Sequence, residues 1–351
     1  VLTQDGDRWF GRGSADNKGQ HTINLAALRY VLANRGYLGF NIKVLIETGE
    51  EVGSIGLREI CGVNKDRLSA DVFIASDGPR IAPAQPTVFM GSRGAFNFAM
   101  SVDLREGGHH SGNWGGLLAN PGIILAHAIA AITSSTGEIK VPQWRLDEIP
   151  GSVQDVLREL TVDQDENSPD IDPHWGEPGL TPPEQVFGWN SFEVLAFETG
   201  NPQSPANAIP PKAFAHCQVR FVVPTDPEQL LPALREFLDQ RGFSNVELSA
   251  QGKAARATRL EPDHPWVKWV IASIGATTGK EVAVIPNLGG TLPNDVFAEI
   301  LGLPTIWVPH SYSGCSQHAA NEHLLGSVSR EALQIMTGIW WDLGEMELPV
   351  G

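Results

Sequence analysis

From Gly94 to Gly252 the chain spells strand, helix, strand, strand, helix, strand, and few folds accept that order. "GAFNFAMSVDL" alternates apolar and polar residues with the period of a half-exposed strand. "NPGIILAHAIAAITS" follows as a helix, "SFEVLAFETG" and "KAFAHCQVRFVV" as strands, "PEQLLPALREFLDQRG" as a second helix and "NVELSAQG" as a last strand. This β-α-β-β-α-β order predicts a ferredoxin-like domain. A loose stretch rich in Pro, Asp and Glu, near 137–188, reads as an insertion or extended loop within it.

On either side the pattern changes. "QHTINLAALRYVLANRG" repeats Ile23, Ala26, Ala27, Tyr30 and Val31 at helical spacing and stops at Gly36. "FNIKVLIETGEE", "ADVFIASDGPR" and "GLPTIWVPHS" read as strands, and "HLLGSVSREALQIMTGIWWDL" as a closing helix. Strands alternating with helices predict an α/β domain whose mostly parallel sheet is covered on both faces. The expected organisation is an α/β catalytic domain, 1–93 and 260–351, interrupted by the smaller α+β domain, 94–259.

Composition narrows the function. With 42% hydrophobic and 19% charged residues the chain can bury a proper core. A net charge of −16, without clustered Lys and Arg, argues against a nucleic-acid partner. Cys61, Cys217 and Cys315 are scattered, so they form neither a disulfide framework nor a cysteine-rich zinc site, and a reducing cytoplasm is the expectation. No apolar run approaches a membrane span.

Four segments place metal-ligand residue types just after strands or at a loop-to-helix turn. They are Asp16 in "GRGSADNKG", Glu50-Glu51 in "ETGEEVGS", Asp77 in "ASDGP" and His318 in "GCSQHAANEHL". Each has a plainer reading: a solvated acidic pair, an N-cap for Asp16, a turn for Asp77. In an open α/β sheet, however, ligands bind beyond the carboxyl ends of the strands, where these loops would meet. Crowded carboxylates repel one another unless a cation joins them, and oxygen and imidazole donors without thiolate suit a zinc-type divalent ion. His310, directly after a strand, is the second choice of histidine ligand, and His323 is expected to face outward from a helix start.

"GRGSADNKG", "ETGEEVGS", "ASDGP", "HHSGNWGG", "NAIPPKAFAHCQVRF", "GGTLPND" and "HAANE" stand in the order and approximate spacing of one family. The chain resembles the co-catalytic dizinc metallopeptidases. These include carnosinase-type dipeptidases, acetylornithine deacetylase, succinyl-diaminopimelate desuccinylase, aminoacylase and glutamate carboxypeptidase; the dipeptidase branch reads closest. The resemblance implies two divalent ions, zinc first with cobalt or manganese as alternatives. Asp16 would bridge them, Glu51 and His318 would ligate one and Asp77 the other. Glu50 would be the general base. His110, acting from a partner subunit of a homodimer joined through the smaller lid domain, would contact the substrate carbonyl. Asn207 and Arg220 would grip the substrate's carboxylate or carbonyl, and Gly289, Gly290 and Thr291 would line its end.

The implied reaction is hydrolysis of a dipeptide amide, with N-acyl amino acid deacylation as the alternative. One departure stands out: the family's upstream His-x-Asp motif has no counterpart in Val1 to Gly11. His21 falls inside a helix, so the expectation is a chain lacking its amino-terminal portion. The other reading is a non-catalytic scaffold of the same fold that lacks one metal ligand.

Overall fold

The alternation in "KAFAHCQVRF" becomes a strand, Lys212–Phe221, in which every second residue is buried. A computed structural model describes residues 2–162 and 169–349. It divides into two units: Val1–Ser92, Pro150–Ile171 and Thr258–Gly351 in the first, Arg93–Ile149 and Asp172–Ala257 in the second.

In the second unit four antiparallel strands lie in the order Glu247–Ala250, Gly94–Asp103, Lys212–Phe221, Ser191–Thr199. Counted along the chain that order is fourth, first, third, second, which is what two β-α-β crossovers joined by a hairpin produce. Helix Pro121–Ile132 starts at an Asn120 cap that accepts from Gly122 and Ile123 N–H, with proline in its first turn. Helix Pro227–Asp239 starts at Asp226 and buries Leu230, Ala233, Leu234, Phe237 and Leu238, one stripe at helical spacing. Both stripes meet Phe98, Met100, Ala215 and Val219 from the inner face of the sheet in one apolar core.

The first unit is built on strands Ala283–Ile285, Thr87–Phe89, Thr305–Trp307 and Phe73–Ala75, neighbours in that order. The outer two pairs are parallel, and the central pair touches antiparallel at Trp307 and Phe89. Pleating sends Ile74, Val88 and Ile306 to one face, where helices Lys18–Arg35, Pro265–Thr278 and Gly326–Asp342 cover them. It sends Phe73, Phe89 and Trp307 to the other, against Phe297 and each other. No helix among the described residues is long and apolar enough to cross a membrane.

Three expectations are corrected. "FNIKVLIE" forms no strand: residues 41–47 run without a ladder partner among the described residues, leaving Val44 and Ile46 exposed. Apolar, β-branched sequence makes a strand only where a neighbour takes up its N–H and C=O groups. The closing helix begins at Gly326, because His323–Leu325 pairs as a strand with Arg8–Phe10. The supposedly loose stretch holds helices Gly151–Arg158 and Pro182–Phe187. The second of these is announced by a Thr181–Glu184 capping box. Helix Gly151–Arg158 lies against strand Ala283–Ile285, so 150–171 groups with the first unit. Residues 163–168 of that stretch lie outside the described residues.

Candidate active site

Glu50 and Glu51 begin a single tight turn, Glu50–Val52, closed by Gly53 N–H on the Glu50 carbonyl at 2.8 Å. Gly53 at φ 88° and Ser54 at φ 51° take the chain out of it. With three residues per turn, neighbouring side chains leave such a turn about 120° apart. The two carboxylates therefore have different surroundings although they are adjacent in sequence.

Glu51 joins Asp16 and His318. His318 Nε2 lies 2.9 Å from Asp16 Oδ2 and 3.1 Å from Glu51 Oε2. One donor atom from each of the three falls within 4.8 Å of the others. Two carboxylate oxygens and an imidazole nitrogen fit a divalent cation in a site with positions left for water or substrate. Asp16 does not cap the helix behind it: Asn17 is the N-cap, and no side chain bonds there. The segment that presents His318 is tightly bent, with Ser316, His318 and Asn321 at φ 59°, 59° and 64°. Non-glycine residues rarely adopt this region, and when they do they cluster at functional sites.

Asp77 lies outside that donor trio but within its field. Burial pushes its pKa up to about 6, the Gly78 N–H opposes the rise, and Asp16 and then Glu51 add to it. Glu50 is pushed up to about 7, first by burial and then by the charges of Asp77, Glu51 and Asp16. It is a carboxylate outside the donor set whose proton affinity is tuned near neutrality.

The rival histidines are structural. His310 is fully buried, with Nε2 3.1 Å from Ser76 Oγ and its N–H on Gln20 Oε1, so the second-choice ligand is a core residue. His323 is buried rather than outward-facing, bonded to the Tyr312 hydroxyl at 2.7 Å. Gly290 and Thr291 follow strand Ala283–Ile285 on an accessible loop of the same unit.

In the second unit, His109–His110 pairs with Ala208–Ile209, which sets His110 opposite Ala208 and next to Asn207. His110 is exposed and accepts from Gly112 N–H through Nδ1 at 3.1 Å. The Asn207 carbonyl accepts from Ser111 N–H at 2.9 Å. Arg220, near the end of strand Lys212–Phe221, donates from Nε to Gln218 Oε1 at 2.8 Å.

Sequence reasoning passed over Glu322, although it stands inside "HAANE": its buried carboxylate accepts from the backbone N–H groups of Gly13, Ala15 and Asp16. It also passed over Gln20, which is fully buried in the helix behind Asp16. A glutamine in register with Ile23, Ala27 and Val31, the otherwise apolar buried stripe of the helix, is the signal that could have found it.

An α/β unit whose loops gather carboxylates and an imidazole is the architecture of a cation-binding site beyond a sheet edge. The comparisons with known proteins agree. Peptidase family M20/M25/M40 matches residues 2–342, and the chain belongs to that family. It is 28% identical over 312 residues to a cysteinylglycine-S-conjugate dipeptidase of Corynebacterium striatum, covering 83% of this chain and 64% of that one. It is 25% identical to the beta-Ala-His dipeptidase of Homo sapiens, covering 92% and 66%. The chain thus spans just under two thirds of each relative. Among solved structures, the fold is similar to an M20 family metallo-carboxypeptidase from Sulfolobus solfataricus, with TM-score 0.80, 24% identity and 97% and 79% coverage. It is also similar to human carnosine dipeptidase 1, with TM-score 0.73, 22% identity and 99% and 76% coverage.

Proposed function

We propose that this chain carries the hydrolytic site of a metal-dependent dipeptidase. The observation that carries the reading is the division between adjacent residues. Glu51 sits in the donor trio with Asp16 and His318, while Glu50 sits outside it with a pKa near 7. Divalent ions held by Asp16, Glu51, His318 and Asp77, two of them and zinc by preference, would lower the pKa of water and offset the developing oxyanion charge. Glu50 takes the proton from the attacking water and returns it to the leaving amine nitrogen, the role for which a base poised near the working pH is suited. On this reading Arg220 and Asn207 would grip the substrate's carboxylate or carbonyl, His110 would contact the carbonyl oxygen in the partner subunit's site, and Gly290 and Thr291 would line the substrate's end. An Arg suits that carboxylate because its planar fork can donate twice.

The relatives' names favour a dipeptide over an N-acyl amino acid. We infer a homodimer through the second unit. Supporting this, the edge strand Ser191–Thr199 leaves Leu195 and Phe197 58% and 44% exposed, the kind of edge that adds a partner strand. Three free, buried cysteines suit a reducing cytoplasm. The test is hydrolysis of a panel of dipeptides, Cys-Gly and β-Ala-His among them, beside N-acyl amino acids. Each is assayed with zinc, cobalt or manganese and again with a chelator. Metal-dependent release of free amino acids from dipeptides supports the reading; no cleavage of any dipeptide under any metal rejects it.

A further inference from the structure

Asp16 is held from both sides by buried side chains that the proposed chemistry does not use. One is Glu322, whose side chain is 2% exposed and stands four residues beyond His318. Its Oε2 accepts from Gly13 N–H at 2.8 Å and from Arg12 Nη1 at 3.1 Å. Its Oε1 accepts from Ala15 and Asp16 N–H, both at 3.0 Å. Its main-chain carbonyl also takes the Gly11 N–H at 3.0 Å. One carboxylate therefore gathers the Gly13, Ala15 and Asp16 N–H groups and the Arg12 side chain of the loop that presents Asp16, and ties them to the segment that presents His318.

The other is a chain of contacts toward Asp77. Gln20 donates from Nε2 to the Ala15 carbonyl at 2.9 Å and accepts His310 N–H on Oε1 at 2.8 Å. The His310 ring lies 3.1 Å from the hydroxyl of Ser76, the residue before Asp77. Asn17 closes the circuit, donating from Nδ2 to the Ser76 carbonyl at 2.8 Å. Gln20 and His310 are 0% exposed and Ser76 is 3% exposed. The residues before and after Asp16 are thereby fixed to the residue before Asp77.

We propose that Glu322 and Gln20 are positioning residues for metal binding: Glu322 sets the Asp16 carboxylate against His318, and Gln20, through His310 and Ser76, sets it against Asp77. This rests on the metallohydrolase reading above. Carboxylate bonds to N–H groups are the strong, short kind, and Glu→Gln at such a site turns an acceptor into a donor facing donors. Groups that orient ligands typically change metal affinity by about 10–100-fold when removed.

The test is titration of the metal-free natural gene product with Co2+, followed by visible absorption, beside urea unfolding of the same metal-free samples. The variants are Glu322→Gln, Gln20→Met and the milder Ser76→Ala. The control is Ser273→Ala, which loses a partly buried 2.7 Å bond to Asp342 between helices Pro265–Thr278 and Gly326–Asp342 of the same unit. The proposal expects Co2+ affinity to fall about 10–100-fold in the site variants and to stay at the parent's value in the control. The conservative Ser76→Thr, which keeps the hydroxyl, should restore much of what Ser76→Ala loses. Parent-like affinity in Gln20→Met and Ser76→Ala, with the parent binding Co2+ normally, overturns the positioning role alone. A parent that binds no Co2+ overturns the metallohydrolase reading and this inference with it.

Discussion

His318 Nε2 lies 2.9 Å from Asp16 Oδ2, although 302 positions of sequence separate the two residues. The relationship sets His318, the candidate ligand, apart from the buried His310 and His323. His318→Ala should weaken Zn2+ binding by more than the roughly 10–100-fold typical of groups that only orient a ligand, with a small effect on metal-free stability because its side chain is 68% exposed. His323→Ala should do the reverse, lowering the unfolding midpoint through the lost Tyr312 bond while leaving metal affinity near the parent's. Calorimetry with Zn2+ and urea unfolding on both variants separate the roles, and an exchange of the two outcomes would reject the assignment.

Glu50→Gln keeps the shape of the side chain and removes its basicity. Turnover should fall by about 10²–10⁴-fold, the range of positioned acid–base groups, while metal content stays at the parent's level because Glu50 lies outside the donor trio. Steady-state kinetics with elemental analysis of the same preparation checks both halves.

The crowded carboxylates give the metal-free protein a definite pH response. Glu50 is raised to about 7 and Asp77 to about 6, each by burial first and neighbouring charge second. Both therefore hold a proton more tightly folded than unfolded, where carboxylates titrate near about 4. Their favourable contribution is full below that range and is lost as pH rises through about 6 and 7. Glu50→Gln stays neutral, so without metal it should gain stability relative to the parent as pH goes from 5 to 8. Thermal melts across that range check the sign; a variant that loses ground with rising pH would contradict it.

Arg80 is a fully buried charge in the first unit. Its side chain is 0% exposed and is bonded to the Pro309 and Pro83 carbonyls and to Glu331 at 2.5 Å, with Lys280 on the other Glu331 oxygen. Arg80→Ala should lower stability by about 3–5 kcal/mol, the usual cost of breaking a buried pair by removing one partner. Urea unfolding with its slope checked for two-state behaviour measures it.

Much of this was legible in the sequence because local pattern and chemistry agreed. The alternation of "KAFAHCQVRFVV" reads as a strand, and the fold keeps it as one over Lys212–Phe221, two residues shorter, with every second residue buried. Asp16, Glu51 and His318 stand out in the sequence as metal-ligand residue types in separate loops, and the fold brings one donor atom of each within 4.8 Å of the others. What could not be read depended on partners. The 41–47 run has strand composition, yet pairing is a property of two segments. His310 follows a strand as a ligand might, and only its surroundings in the fold, Ser76, Gln20 and complete burial, make it a core residue. Nothing local in the sequence sets Glu322 apart from other acids; its part comes from loop 11–16 folding onto it, with Gly13, Ala15 and Asp16 N–H on its carboxylate.

The central claim is that Glu51 is a ligand in a site built for two divalent ions. Elemental analysis of metal per chain on the natural gene product, saturated with zinc and desalted, beside Glu51→Ala treated identically, tests it most directly. The account expects about two ions in the parent, as two-metal hydrolytic sites hold, and a clear loss in the variant. No retained metal in the parent, with zinc, cobalt or manganese, would contradict it.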